Sequence, residues 1–189
     1  RQDGLTGIAW HPDGTHLATT SRWNGTICIW NPATGRQTGH IDTHQPGLTG
    51  IAWHPDGTHL ATTSRRNGTI CIWNPATGRQ TGHIDTDQHW LYGIAWNPDG
   101  THLATTSADG TIRIWNPATG TQITTLEYLP AWPTPDRLNY AAWDADHKLI
   151  NASLDAWYWL GWQVPGDETN PYLHRLPAEH FGPLPGISD

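Results

Sequence analysis

Apolar and polar positions alternate with a period of two through most of the chain, and residues 48–84 show the pattern at its clearest. In Leu48-Thr49-Gly50-Ile51-Ala52-Trp53 the alternation places Ile51 and Trp53 on one face of an extended strand. Pro55-Asp56-Gly57 then turns the chain, because Pro presets φ and Gly accepts positive φ. His59 to Ser64 is a second strand, with Leu60 and Thr62 on a common face. Asn67-Gly68 predicts a tight type I′ hairpin, which needs positive φ at both central residues. Thr69-Ile70-Cys71-Ile72-Trp73 follows as a third strand, β-branched and aromatic. After the turn Asn74-Pro75-Ala76-Thr77-Gly78, Arg79 to Ile84 reads as a polar fourth strand suited to an exposed edge. No segment has a 3.6-residue period, so the fold class is all-β.

This unit repeats. Gly4 to Thr43 and Gly47 to Thr86 differ only at Trp23/Arg66, and the run Gly-Ile-Ala-Trp ends at Trp10, Trp53 and Trp96, 43 residues apart. A fixed period of this length marks a repeat architecture. A lone four-stranded sheet cannot cover two apolar faces, so copies must stack. Each Trp brings about 150–250 Å² of surface, roughly 4–6 kcal/mol gross before conformational entropy is subtracted.

The run Ala-Trp-His-Pro-Asp-Gly-Thr-His-Leu-Ala-Thr-Thr-Ser, followed by Asn-Gly-Thr-Ile-Cys-Ile-Trp-Asn-Pro-Ala-Thr-Gly, resembles the WD40 repeat. The resemblance implies a β-propeller segment of four four-stranded antiparallel blades: 1–46, 47–89, 90–128, and a degenerate fourth at 138–176. A Pro-rich linker (129–137) precedes the fourth blade and a tail (177–189) follows it. Trp143 and Trp162 keep the spacing of Trp96 and Trp115, but Ala156-Trp157 replaces the hairpin's Asp109-Gly110. Tyr172 to Leu176 would supply the last outer strand.

WD40 blades typically carry a hydrogen-bonded tetrad of His, Ser/Thr, Asp and Trp. Counting from Trp30 and back from Trp53 puts the His at His44, which leaves His40 and His83 on the fourth strands. The resemblance then implies His44, Thr62 and Trp73 in the second blade, with Asn67 at the Asp position. It implies Thr105, Asp109 and Trp115 in the third, with Asp87 at the His position, and Thr19 and Trp30 in the first, with Arg1 and Asn24.

Four blades closing a ring would need about 90° between neighbours, far beyond usual sheet twist. Two arrangements follow. Either further blades lie upstream in a larger protein, or two chains pair as a homodimer into an eight-bladed ring. A chain without Met that opens mid-pattern is most simply a fragment or processed product. The Leu-Pro-Ala-Glu-His-Phe-Gly-Pro-Leu-Pro ending looks like the tails of large bacterial signalling proteins such as STAND-type NTPases.

Composition narrows the function. The net charge is −7 and no basic stripe is visible, which argues against nucleic acid as a partner. No apolar run has membrane-spanning length. Cys28 and Cys71 occupy one repeat position on sheets about 10 Å apart, beyond the roughly 7 Å reach of a disulfide. They read as inert free thiols in a reducing, cytoplasmic setting. Arg113 in the third copy marks that position as tolerant of a polar group. The 12 His recur because the repeat recurs; one per blade is too sparse for a shared metal, and they read as solvated and structural. No nucleophile elbow or phosphate loop is present, so neither cofactor nor enzymatic activity is expected.

Near-identical copies make their differences informative. Trp23/Arg66, His44/Asp87, Pro46/His89 and the loop containing Trp90 and Tyr92 all map to one end of a propeller, while the opposite turns are unchanged. Exposed aromatics and Arg are common interface anchors. The expected partner-binding rim is therefore Trp23, Arg66, His89, Trp90 and Tyr92. The expected function is a protein-binding scaffold or sensor, with a lectin-like glycan-binding propeller as the alternative.

Overall fold

The computed structural model describes residues 4–129, 139–152, 162–164 and 174–176. Among them every regular element is a β-strand. The chain clusters into two compact units, Arg1–Ile123 and Thr124–Asp189. The first twelve strands are β1 (Leu5–Trp10), β2 (Leu17–Ser21), β3 (Thr26–Asn31), β4 (Arg36–Asp42), β5 (Leu48–Trp53), β6 (Leu60–Ser64), β7 (Thr69–Asn74), β8 (Arg79–Asp85), β9 (Leu91–Trp96), β10 (Leu103–Ser107), β11 (Thr111–Asn116) and β12 (Thr121–Leu129). After them come β13 (Asn139–Asp144), β14 (Leu149–Ala152), β15 (Trp162–Val164) and β16 (His174–Leu176). They pair as β1-β2-β3-β4, β5-β6-β7-β8, β9-β10-β11-β12-β13-β14 and β15-β16.

In the first unit the sheets stack as blades, with β5 lying beside both β1 and β9. Alternation explains why the middle blade is buried on both faces. Leu48, Ile51, Leu60, Cys71 and Trp73 pack against Ala18, Ile27, Ile29 and Ile41 of the first blade. On the other side Ala61, Ile70, Ile72 and Ile84 meet Leu91, Leu103 and Trp115 of the third. The fourth strand is thus less polar than expected, since Ile41 and Ile84 turn inward while their neighbours stay exposed.

Hydrogen bonds tie the blades together near their first strands. The Thr6 hydroxyl donates to the Leu48 carbonyl, and Thr49 to that of Leu91, each at 2.8 Å. Gly50 makes this approach possible: a Cβ there would lie 2.8 Å from the Tyr92 carbonyl oxygen.

The second hairpin departs from the type I′ expectation. Gly25 and Gly68 have positive φ, but the preceding Asn24 and Asn67 do not. The amide of Gly68 donates to the Ser64 carbonyl (3.2 Å), so the loop spans four residues, Arg65 to Gly68. In the third blade Gly110 donates to Ser107 instead, leaving only Ala108 to Gly110 in the loop. Trp23 and Arg66 therefore fall in loops one residue longer than the third blade's, as the Trp53–Trp73 and Trp96–Trp115 spacings also record.

In the second unit β12 pairs with β13 from Thr124↔Asp144 to Leu129↔Asn139, and β13 pairs with β14. Separately, β15 pairs with β16 from Trp162↔Leu176 to Val164↔His174. Arg1, most of the expected linker, the Ala156-Trp157 hairpin and the tail lie outside the described residues.

Candidate partner-binding rim

In each blade the third-strand indole donates to a second-strand hydroxyl at 3.0 Å: Trp30 to Thr19, Trp73 to Thr62 and Trp115 to Thr105. Asp109 accepts from the amide (2.9 Å) and hydroxyl (2.7 Å) of Thr111 and from Gln88 Nε2 (3.0 Å), with Arg113 at 3.6 Å. Burial pushes the Asp109 carboxyl up, but Thr111, Gln88 and Arg113 together bring it below the usual range. Arg113, at the cysteine position, also donates to the Thr86 carbonyl.

His44 does not join this network. Its φ is +53° and its side chain is 84% exposed, paired with Asp42 at 3.3 Å. The next residue takes the inward place: Gln45 Nε2 lies 3.1 Å from Cys71 Sγ. Asp87 and Gln88 repeat the arrangement, with Asp87 at φ +51°. Counting along the chain finds the right loop, but the left-handed residue turns its own side chain out and its successor's in.

The rim assembles around a chain of backbone bonds that crosses from the first blade to the second at Gly47. The Arg22 amide donates to Gly4, the Gly47 amide to Arg22, and the Arg65 amide to Gly47, at 3.0, 2.9 and 2.8 Å. This fixes Arg22 and Arg65 at one mouth, where a cavity of about 380 Å³ is lined by Arg22, Trp23, Gly47, Arg65, Arg66 and Trp90 among others. The Arg65 guanidinium lies 3.8 Å from the centroid of the Trp90 ring, and that of Arg22 lies 5.3 Å from Trp23. Such stacking is attractive and orients the guanidinium. A second cavity of about 300 Å³ is lined by Thr6, Arg22, Thr49, Arg65 and Tyr92.

Trp90 stands where the earlier copies have Gly4 and Gly47, and it keeps their left-handed backbone: φ is +65° against +73° and +85°. A bulky residue there is strained, and strain of this kind concentrates at ligand clamps.

Thus Trp23, Arg66 and Trp90 converge on one cavity, and Tyr92 lines the next. His89 lines neither; it is exposed, and its carbonyl accepts from Ser107 Oγ at 3.1 Å.

The opposite turns are built for packing. His11 Nε2 donates to the Gly57 carbonyl at 3.2 Å, and its ring meets Trp53 edge-on at 4.5 Å. His54 does the same toward Gly100 and Trp96. These two are interblade struts rather than solvated side chains. Cys28 and Cys71 are free and buried, each within 3.5 Å of a fourth-strand His, His40 or His83. Burial pushes both thiols up from the ordinary cysteine value. Among the described residues no three His, Cys, Asp or Glu gather as a metal site.

Comparison with known proteins agrees with this geometry. The family model "WD domain, G-beta repeat" matches residues 2–31, 35–74 and 77–116, more than half of the chain. The chain belongs to the WD40-repeat family. No curated protein matches it. Among solved structures, the Kuenenia stuttgartiensis hydrazine synthase is similar, with a TM-score of 0.61 at 15% identity. The match covers 79% of this chain and 48% of that one, so the WD40 chain spans about half of its neighbour's length. At that identity the likeness is one of fold alone. WD40 repeats generally mediate protein–protein interaction and are generally non-catalytic.

Selecting positions that differ between copies could not find Arg22 and Arg65, because they are identical. The signal that finds them is contrast with the third blade, which has Ala108 at their place. Trp90 at a glycine position was legible in the same way.

Proposed function

We propose that this WD40 segment is a non-catalytic protein-binding module whose partner seats on the Arg22–Trp90 rim. The observation that carries this reading is the convergence of Trp23, Arg66 and Trp90 with Arg22 and Arg65, each over an indole, around one cavity. Tryptophan and arginine are the residue types most enriched at interface hot spots. The full chain as bait tests it: Trp23→Ala, Arg66→Ala and Trp90→Ala should each reduce recovery of a protein partner, and Thr77→Ala on the opposite end should not. Recovery unchanged in all three, or glycan-array binding with no protein recovered, would overturn the reading.

The likeness of the tail to STAND-type proteins supports placing this module in a cytoplasmic bacterial signalling protein. Completion of its ring by upstream blades or a second copy is supported by the first blade. Leu5 and Ile8 are 60% and 67% exposed, whereas their copies Leu48 and Ile51 are 0% and 6% exposed beneath the first blade.

A further inference from the structure

We infer that the rim cavity is an acidic-peptide site, in which Arg22, Arg65 and Arg66 bind carboxylates of a partner segment. The inference rests on the rim being a protein-binding surface and adds the chemistry of what binds there.

Three of the chain's 10 basic residues line this single cavity in a protein of net charge −7. Among the described residues none of the three forms an ion pair; the carboxylates of Asp42 and Asp109 are engaged with His44 and Arg113. Arg22 and Arg65 are half-buried and held by backbone bonds through Gly47; Arg65 stacks on Trp90 at 3.8 Å and Arg22 lies over Trp23 at 5.3 Å. Stacking covers the face of a guanidinium and leaves its N–H edge free, the edge that takes a carboxylate bidentately. Rotamer freedom already lost in the free protein is not lost again on binding.

The spacing favours a peptide with two carboxylates over one isolated anion. Arg22 and Arg65 are copies of one position on neighbouring sheets, which stack about 10 Å apart. An extended chain rises about 3.3 Å per residue, so side chains two or four residues apart on one face span roughly 7–13 Å. Intervening apolar groups would rest on the two indoles. A long polyanion fits less well, because the surrounding surface of this acidic chain would repel it.

A phage-displayed random peptide library selected on the full chain tests the inference. Recovered peptides should be enriched in Asp or Glu at two positions two or four residues apart. Binding of a selected peptide, followed by fluorescence anisotropy, should weaken about tenfold or more for Arg22→Gln or Arg65→Gln. Arg36→Gln, on exposed β4, should leave it unchanged. Replacing Glu by Gln in the peptide should weaken binding equally, and peptide and protein changes together should lose less than their product. The peptide-side substitution and Arg65→Lys, which keeps charge but loses the fork, stand even if a Gln variant unfolds. Selected peptides that need Trp90 yet show no acidic enrichment would overturn this inference and leave the protein-binding rim intact. Failure to select any peptide that depends on Trp23, Arg66 or Trp90 would overturn both. Phosphoserine in place of the Glu pair binding tenfold more tightly would reassign the site to phosphate and overturn the carboxylate.

Discussion

Trp90 holds the backbone at φ +65° in a place where glycine serves twice. A left-handed conformation costs a side-chain-bearing residue about 1–2 kcal/mol. About half of the Trp90 surface is covered, roughly 2–3 kcal/mol gross by area, so the strain relieved on removing the side chain offsets much of the burial lost. Trp90→Gly is therefore expected to unfold in urea at a midpoint only slightly below the parent's, by about 1 kcal/mol, while partner binding is lost. A fall in stability of more than about 2 kcal/mol would instead make Trp90 a structural residue. Trp73 is the opposite case. Its indole donates to Thr62, and both residues are buried. Trp73→Phe should cost about 1–3 kcal/mol in denaturant titration; an unchanged midpoint would show that the bond contributes nothing net. These two tryptophans illustrate what was readable at this scale. The Trp–Thr pairs were expected from the WD40 resemblance, and each indole reaches its hydroxyl. The displacement of His44 by Gln45 depends on a backbone conformation at residue 44 that side-chain spacing does not encode.

Among elements, the first strands carry the closest interblade contacts, and glycine is the reason. A methyl at Gly50 would meet the Tyr92 carbonyl at 2.8 Å, whereas at Gly93 it would meet only the Thr106 hydroxyl, at 2.9 Å. Gly50→Ala should therefore cost about 1–3 kcal/mol and Gly93→Ala clearly less, as thermal denaturation of the two variants would show. Equal effects would mean that the blades shift freely. The first-hairpin turns carry a pH dependence. The Thr15 hydroxyl and amide hold the Asp13 carboxyl at about 2; at Asp56, burial pushes upward but the Thr58 amide and hydroxyl and His54 bring it to about 2 as well. Each folded value lies below the unfolded value of about 3.9, so the unfolded chain binds the proton more readily. The turns' contribution is complete above about pH 4 and is lost as pH falls through about 2. Carboxyl carbon NMR titration should give midpoints near 2 for both, and the Asp13→Asn, Asp56→Asn double variant should lose less stability over that interval than the parent. Midpoints near 4 would contradict the turn geometry. Strand boundaries were legible because alternation, Pro and Gly all punctuate them. The hairpin type was not, because Asn-Gly marks a turn without counting the residues that the loop contains.

At the scale of the molecule, near-identity of the copies made the stack of blades readable, since each apolar face predicts the face that covers it. The rim was only half readable. Trp23, Arg66, Trp90 and Tyr92 stand out by differing between copies, but Arg22 and Arg65 acquire meaning only once the backbone bonds through Gly47 bring them to the same mouth. We propose that this mouth, rather than the invariant turns at the other end, engages the partner. Hydrogen–deuterium exchange on the full chain, with and without its bound protein or peptide, separates the two ends. Protection is predicted in the loops at 22–25, 43–47, 65–68 and 86–92, with the turns at 11–15, 31–35, 54–58 and 74–78 unchanged. Protection confined to those turns would contradict it.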